Sequence, residues 1–267
     1  MDYFNIKKYS DNLYQFQDKL GVLATLVVGD NKALLFDTCY GIGDLPSEVK
    51  KITDKELIVV ASHGHMDHTA GNYQFDKVLI HKNDIELCKK HNSLLYRERN
   101  LASLGDREVV GFDKEVYKTK REGNLKPLEL PCTFDLGSIT LEVVEAFGHT
   151  QGSIALYSKE LKLMLVSDAT CPWVWLFLNE STKMDVYIKS VEHLLTYDFD
   201  NFLVGHGMRL FPRYRMNEFL ECAKEIDLSK SVKVSFGNFD DCNSWCYSRY
   251  QMYDQDKCGV VFDPDKL

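Results

Sequence analysis

The chain has 267 residues, enough to bury a sizeable core, and its 45% hydrophobic and 27% charged residues exclude wholesale disorder. Thirty-two Lys and Arg stand against 40 Asp and Glu, a net charge of -8, which disfavours a partner with a nucleic-acid backbone, although Arg209, Arg213 and Arg215 fall close together. No stretch is apolar for the length of a membrane span, and MDYFNIKKYSDNLYQF has no secretory-type apolar run, so a cytoplasmic protein without membrane attachment is expected.

In chain order, LYQFQD, ATLVVGD and KALLFDTCY read as strands, with a hairpin turn over Gly29, Asp30, Asn31 and Lys32. Pro46 opens a short helical pattern running to about Ile52. ELIVVAS is a buried-type strand that ends directly at His63. VLIH follows as another strand, and NDIELCKKHN has helical spacing with Asn83 as its expected N-cap. The segment 91–123 is charged, dotted with aromatics and weakly periodic, so it reads as an insert, helical or mobile. Tyr96, Phe112 and Tyr117 in it are expected to close over a substrate. Strands resume with CTFDLGSITLEVVEAF, SIALYS and KLMLVSD. A helix from about Ser181 places Met184, Ile188, Val191 and Leu195 on one face. NFLVG is a last buried-type strand and RYRMNEFLECAKEI a last amphipathic helix. From about Leu228 the chain reads as an extension, a packed tail or a contact surface. Sheet-forming and helical segments interleave throughout, which predicts a single α/β domain over residues 1–267.

Eight cysteines scattered over a chain with no export signal predict thiols rather than a disulfide framework. Cys242, Cys246 and Cys258 cluster, but without the paired spacing and fourth ligand of a structural metal site.

The chemistry concentrates in His63-Gly64-His65-Met66-Asp67-His68. In an extended segment His63, His65 and Asp67 alternate and lean to a common side, while His68 points elsewhere, so one short stretch can feed two neighbouring metals. A second pattern is independent of that motif. His63, His149, Asp168 and His206 each follow an apolar, strand-like run, and residues at strand ends gather on one rim of a sheet. His193 lies in a helical pattern, partly buried or exposed without ligand duty; His91 falls among polar residues, which gives it a surface role, and His81 follows VLI and stays a minor candidate.

HGHMDH, GHTQGS around His149, SDA at Asp168, GHG at His206 and Asp37 in LLFDTCY together resemble the metallo-β-lactamase-fold hydrolase superfamily. The resemblance covers roughly residues 10 to 225 in the family's order. It implies an αββα four-layer sandwich carrying two divalent metals, zinc first, with iron or manganese able to use the same ligands. By the same resemblance His63, His65 and His149 hold one metal, Asp67, His68 and His206 the other, and Asp168 bridges both. Asp37 would orient a ligand from behind.

The implied mechanism is attack by a hydroxide bridging metals about 3.5–4 Å apart, with Asp67 and Asp168 as the catalytic carboxylates. The fold serves many substrates, so the bond cut is not implied by it. Gly-Met-Arg-Leu after His206 lacks the acidic residue of glyoxalase II-like members, and an intact His65 departs from redox diiron members. A small-molecule lactone, thioester or related ester is therefore the expected substrate, with phosphodiester cleavage and a non-catalytic metal-binding module as the competing readings. CPWVWLFLNES after Asp168 places Trp173, Trp175 and Phe177 as an apolar substrate wall, since alternation puts all three on one face.

Overall fold

The apolar runs of the N-terminal half form one mixed sheet. The computed structural model describes residues 3–104, 109, 112–119, 122–236, 242–249 and 258–267. Among these, β1 (Asn5–Ser10), β2 (Leu13–Gln17), β3 (Leu23–Val28), β4 (Lys32–Phe36), β5 (Glu56–Val60), β6 (Val78–His81) and β7 (Leu125–Leu128) lie side by side in chain order. Pairing is antiparallel from β1 to β4 and parallel from β4 to β7. All six residues of β3 are buried, as a strand covered on both faces must be. β1, with five of its six residues exposed, is a polar edge strand with no apolar signature to read beforehand.

Helices α1 (Leu45–Lys50), α2 (Met66–Thr69), α3 (Ile85–His91), α4 (Leu94–Leu104) and α5 (Lys114–Thr119) belong to the same half. Asp44 caps α1 by accepting from the Ser47 amide at 3.1 Å, and Pro46 sits in the first turn, where a missing N–H costs nothing. Asn83 is not the N-cap of α3. That position is Asp84, while the Asn83 amide donates to Nδ1 of His81 at 3.3 Å in the preceding turn.

Within the 91–123 segment, residues 105–108, 110, 111, 120 and 121 lie outside the described residues; α4 and α5 make up most of the remainder. Of its aromatics, Tyr117 lies within the core, and Tyr96 and Phe112 are half-buried against it. Tyr117 is fully buried, donates its hydroxyl to the Tyr40 carbonyl at 3.1 Å, and meets the rings of Phe112 and Tyr73 edge-on. Burying a tyrosine whose hydroxyl has a partner fixes a helix firmly against a core.

The chain divides into two compact units, Met1–Val143 with Gly205–Arg209, and Val144–Val204 with Leu210–Leu267. β8 (Thr133–Asp135) and β9 (Thr140–Glu145) pair antiparallel, and the chain passes from the first unit to the second within β9. The second contains β10 (Ile154–Ser158), β11 (Leu163–Ser167), β12 (Trp173–Leu176), α6 (Met184–Leu194), β13 (Asn201–Val204), β14 (Leu210–Pro212) and α7 (Tyr214–Lys224), then β15 (Val232–Lys233), β16 (Trp245–Ser248) and β17 (Gly259–Phe262). Strands run β14-β13-β11-β10 in one sheet, with β11 and β13 parallel, and β12-β17-β16-β15 in another. The core of this unit takes Met184, Tyr187, Val191 and Leu194 from α6, so the predicted face is rotated slightly and Ile188 and Leu195 fall at its margin.

The C-terminal stretch is a sheet rather than a tail, closed by β12 pairing in parallel with β17; residues 237–241 and 250–257 of it lie outside the described residues. No disulfide joins the eight cysteines. Cys39, Cys88, Cys222, Cys246 and Cys258 are buried, and burial pushes the Cys88 thiol up to about 12. Native protein treated with an aromatic disulfide reagent should therefore label Cys132, Cys171 and Cys242 first, read by peptide mapping; rapid labelling of Cys39 or Cys88 would contradict this packing. Among the described residues no helix is long and apolar enough to cross a membrane.

Candidate metal centre

Parallel neighbours β4 and β5 end level with one another, Phe36 paired with Val60, so the residues that follow them emerge side by side. Asp37 follows β4 and holds φ at +71°, a conformation costly for a non-glycine residue; its amide donates to the Val60 carbonyl at 2.9 Å. That twist turns the buried carboxylate toward the other strand end. Oδ1 accepts from the Ser62 amide at 2.7 Å, and Oδ2 accepts from the Ser62 hydroxyl at 2.9 Å and from Nδ1 of His68 at 3.0 Å. Because the Ser62 hydroxyl donates to Asp37, its oxygen is left to accept from Nδ1 of His63 at 2.8 Å.

One carboxylate thus sets the tautomer of two histidines, directly for His68 and through Ser62 for His63. Both rings carry their proton on Nδ1 and keep a lone pair on Nε2, the state a metal requires. Ser62 had no motif to announce it.

The remaining donors of the first unit are arranged to match. His63 Nε2 faces His65 Nδ1 at 3.1 Å. His68 Nε2 lies 3.4 Å from His206 Nε2, and Asp67 Oδ2 lies 3.4 Å from each of those nitrogens. Burial pushes the Asp67 carboxyl up, but His68 and His206, when protonated on Nε2 as well, outweigh it and hold the group well below the usual carboxylate range. His206 is pinned by main-chain pairing: it forms a β-bridge with Val22, and the Leu23 amide donates to the Gly205 carbonyl at 2.9 Å. Gly64 is required where it stands. A Cβ there would meet the Asp84 carbonyl at 2.8 Å and the Cys88 nitrogen at 2.9 Å, while its amide donates to the Asp84 carboxylate at 2.8 Å.

In the second unit His149 Nδ1 faces the Trp175 carbonyl at 2.7 Å. A carbonyl only accepts, so this ring too carries its proton on Nδ1 and leaves Nε2 free to coordinate. The Ser181 hydroxyl fixes the His149 main chain by donating to its carbonyl at 2.9 Å. Asp168 Oδ2 lies 3.9 Å from His149 Nε2 and follows Ser167, which holds φ at +46° at the end of β11.

The structure therefore brings His63 close to His65, and Asp67 and His68 close to His206, in one unit, and His149 close to Asp168 in the other. Imidazole nitrogens with fixed tautomers, facing one another and carboxylate oxygens with lone pairs inward, suit a divalent cation. His193 is exposed on α6, as expected. His91 is not a surface residue: it is 8% exposed and stacks on His65 with ring centroids 5.0 Å apart. Arg213 lies over the Phe199 ring and donates to the Leu195 carbonyl, and Arg215 pairs with Glu218, so neither joins a basic pocket.

Trp173 and Trp175 are half-buried on one face of β12, whereas Phe177 is 1% exposed and stacked on Phe236. Phe177 is a packing residue of the second unit. Trp175 orients the His149 ring through its carbonyl, an atom that leaves no mark in a sequence.

The family model of the metallo-beta-lactamase superfamily matches residues 18–206. The chain is 24% identical over 217 residues to acyl-coenzyme A thioesterase MBLAC2 of Homo sapiens, covering 73% of this chain and 76% of that protein. The Gallus gallus protein of the same name is 25% identical over 184 residues, covering 64% and 65%. Solved structures of like fold include a metallo-beta-lactamase from Pontibacter korlensis, with TM-score 0.56, 14% identity, and 84% of this chain against all of that one. The sec-alkylsulfatase Pisa1 from Pseudomonas sp. gives TM-score 0.60 and 16% identity over 82% of this chain, which spans 42% of the sulfatase. These neighbours share the mixed α/β fold class read from the motifs, and with the family model matching over more than half its length the chain belongs to the metallo-β-lactamase superfamily and is a hydrolase.

Proposed function

We propose that the chain is a dinuclear metal-dependent thioesterase acting on a small acyl thioester. His63, His65 and His149 would hold one ion, Asp67, His68 and His206 the second, with Asp168 shared between them. The observation that carries the metal reading is the Asp37 carboxylate, which fixes the proton positions of His68 directly and of His63 through Ser62. Such partners behind histidines are the mark of a metal site rather than of a packed core.

Two divalent ions bound there lower the pKa of water and polarise the bond to be cut. The chain's own part is to hold three imidazoles in their Nδ1-protonated form and to keep His63, His65, His68 and His149 buried. The choice of a thioester among lactones and related esters rests on the similarity, at 24–25% identity, to acyl-coenzyme A thioesterases. The exposed faces of Trp173 and Trp175 are the apolar surface proposed for the acyl group.

The test is hydrolysis by zinc-loaded protein of acyl-CoA thioesters, homoserine-type lactones and a phosphodiester, with and without a chelator. Thiol release from acyl-CoA that a chelator abolishes is the expected result. Cleavage of the phosphodiester alone would replace this reading with a phosphodiesterase, and metal binding without turnover of any of them would make the chain a binding module.

A further inference from the structure

Arg97 lies on α4, in the inserted segment, and is fully buried. A guanidinium removed from water is costly, and an apolar residue of similar volume packs more cheaply, so a retained buried charge calls for a task that only donors perform. Here Nη2 donates to Asn92 Oδ1 at 2.8 Å and to the Ala70 carbonyl at 3.1 Å. The guanidinium also sits over the Tyr117 ring at 4.4 Å and near the Tyr73 ring at 5.3 Å.

Both acceptors lead to the metal-binding turn. Ala70 is the C-cap of α2, the helix that carries Asp67 and His68. Asn92 Nδ2 donates to the Thr69 hydroxyl at 2.9 Å, and that hydroxyl donates to the His65 carbonyl at 2.8 Å. One guanidinium nitrogen therefore reaches carbonyls at both ends of the stretch from His65 to Ala70. The ring of His65 is held from the same segment: His91 stacks on it at an interplanar angle of 18°, and Tyr96 stacks behind His91 at 4.8 Å and 17°.

We propose that Arg97 is a positioning residue for the metal centre, holding His65 through Asn92 and Thr69 and the Asp67–His68 turn through Ala70, so that α4 acts as a strut. The proposal rests on the metal-binding reading above. Arg97→Met keeps the length of the side chain and removes the donors; Arg97→Lys keeps the charge and a donor; Asn92→Ala cuts the relay without touching the charge.

Co(II) titration of the wild-type chain and the three variants, followed by calorimetry and by the visible spectrum, with apo-protein Tm and steady-state kinetics alongside, tests it. Arg97→Met should weaken Co(II) binding about tenfold, alter the spectrum and lower kcat with KM changed less than about twofold. Arg97→Lys should recover part of the affinity, and Asn92→Ala should weaken binding in the same direction. Affinity and spectrum unchanged in both Arg97→Met and Asn92→Ala, whatever happens to Tm, would overturn the proposal and leave Arg97 a packing residue. Should Arg97→Met fail to fold, Asn92→Ala and Arg97→Lys decide by the same readings. A wild-type chain that binds no Co(II) would instead overturn the metal-binding reading, so the two failures are distinct.

Discussion

His63→Ala and Asp168→Ala, each made alone, are expected to lose bound metal and to lower kcat/KM by more than about a hundredfold, since even groups behind a ligand are worth about 10–100-fold. His63 is set up for this by its neighbours: its Nδ1 donates to Ser62, and its Nε2 faces His65 Nδ1 at 3.1 Å. Removing the ring leaves His65 without that convergence and the Ser62 oxygen without its donor. In the other unit Asp168 stands 3.9 Å from His149, whose tautomer is set by the Trp175 main-chain carbonyl. Metal content measured on the same preparations used for kinetics checks both. Retention of metal and activity by either variant would remove that residue from the proposed ligand set.

Asp37→Ala should come next in size, although Asp37 lies behind the proposed ligands. It anchors Ser62 twice and His68 once, so its loss frees ligands of both proposed ions together. A fall in metal affinity of about 10–100-fold is expected. Asp37→Asn separates the contributions, because the amide keeps one acceptor oxygen and replaces the other with an NH₂ group. In the wild type Oδ1 serves the Ser62 amide and Oδ2 serves the Ser62 hydroxyl and His68, so the Asn variant must either face its NH₂ group to the Ser62 amide or face it to Nδ1 of His68 and lose the acceptor that fixes that ring's tautomer. Its affinity should fall between those of wild type and Asp37→Ala. Competition with a chromogenic chelator measures this, and equal affinity for all three proteins would show that the carboxylate does not orient the ligands.

How much of this could be read from the residues alone follows from the range over which each feature is encoded. HGHMDH is local, and the strand-end positions of His149 and Asp168 follow from apolar runs of four to six residues that do form strands. Those features were legible. β1 was not, because NIKKYS is exposed and polar with no alternation to detect. The C-terminal sheet was missed because its short strands are recognisable only when β12 and β17 pair across a long separation in the chain. His91 sits among polar residues and reads as surface, and no motif marks Arg97; His91 stacks on His65 and Arg97 donates to the Ala70 carbonyl, and no window of sequence contains that packing. Ser62 and the Trp175 carbonyl have roles defined by what they face. Phe177 shows the reverse error, an aromatic whose alternation with Trp173 and Trp175 suggested a pocket wall but which is buried against Phe236.

The most direct measurement is metal content of protein purified without added metal, by mass spectrometry, before and after chelation and after reloading with zinc. Two ions per chain in the reloaded protein, with hydrolysis lost on chelation and restored on reloading, is what a centre of the seven proposed ligands with Asp37 behind them requires. A reloaded, folded chain that holds no metal, or one whose hydrolysis survives its complete removal, would contradict it.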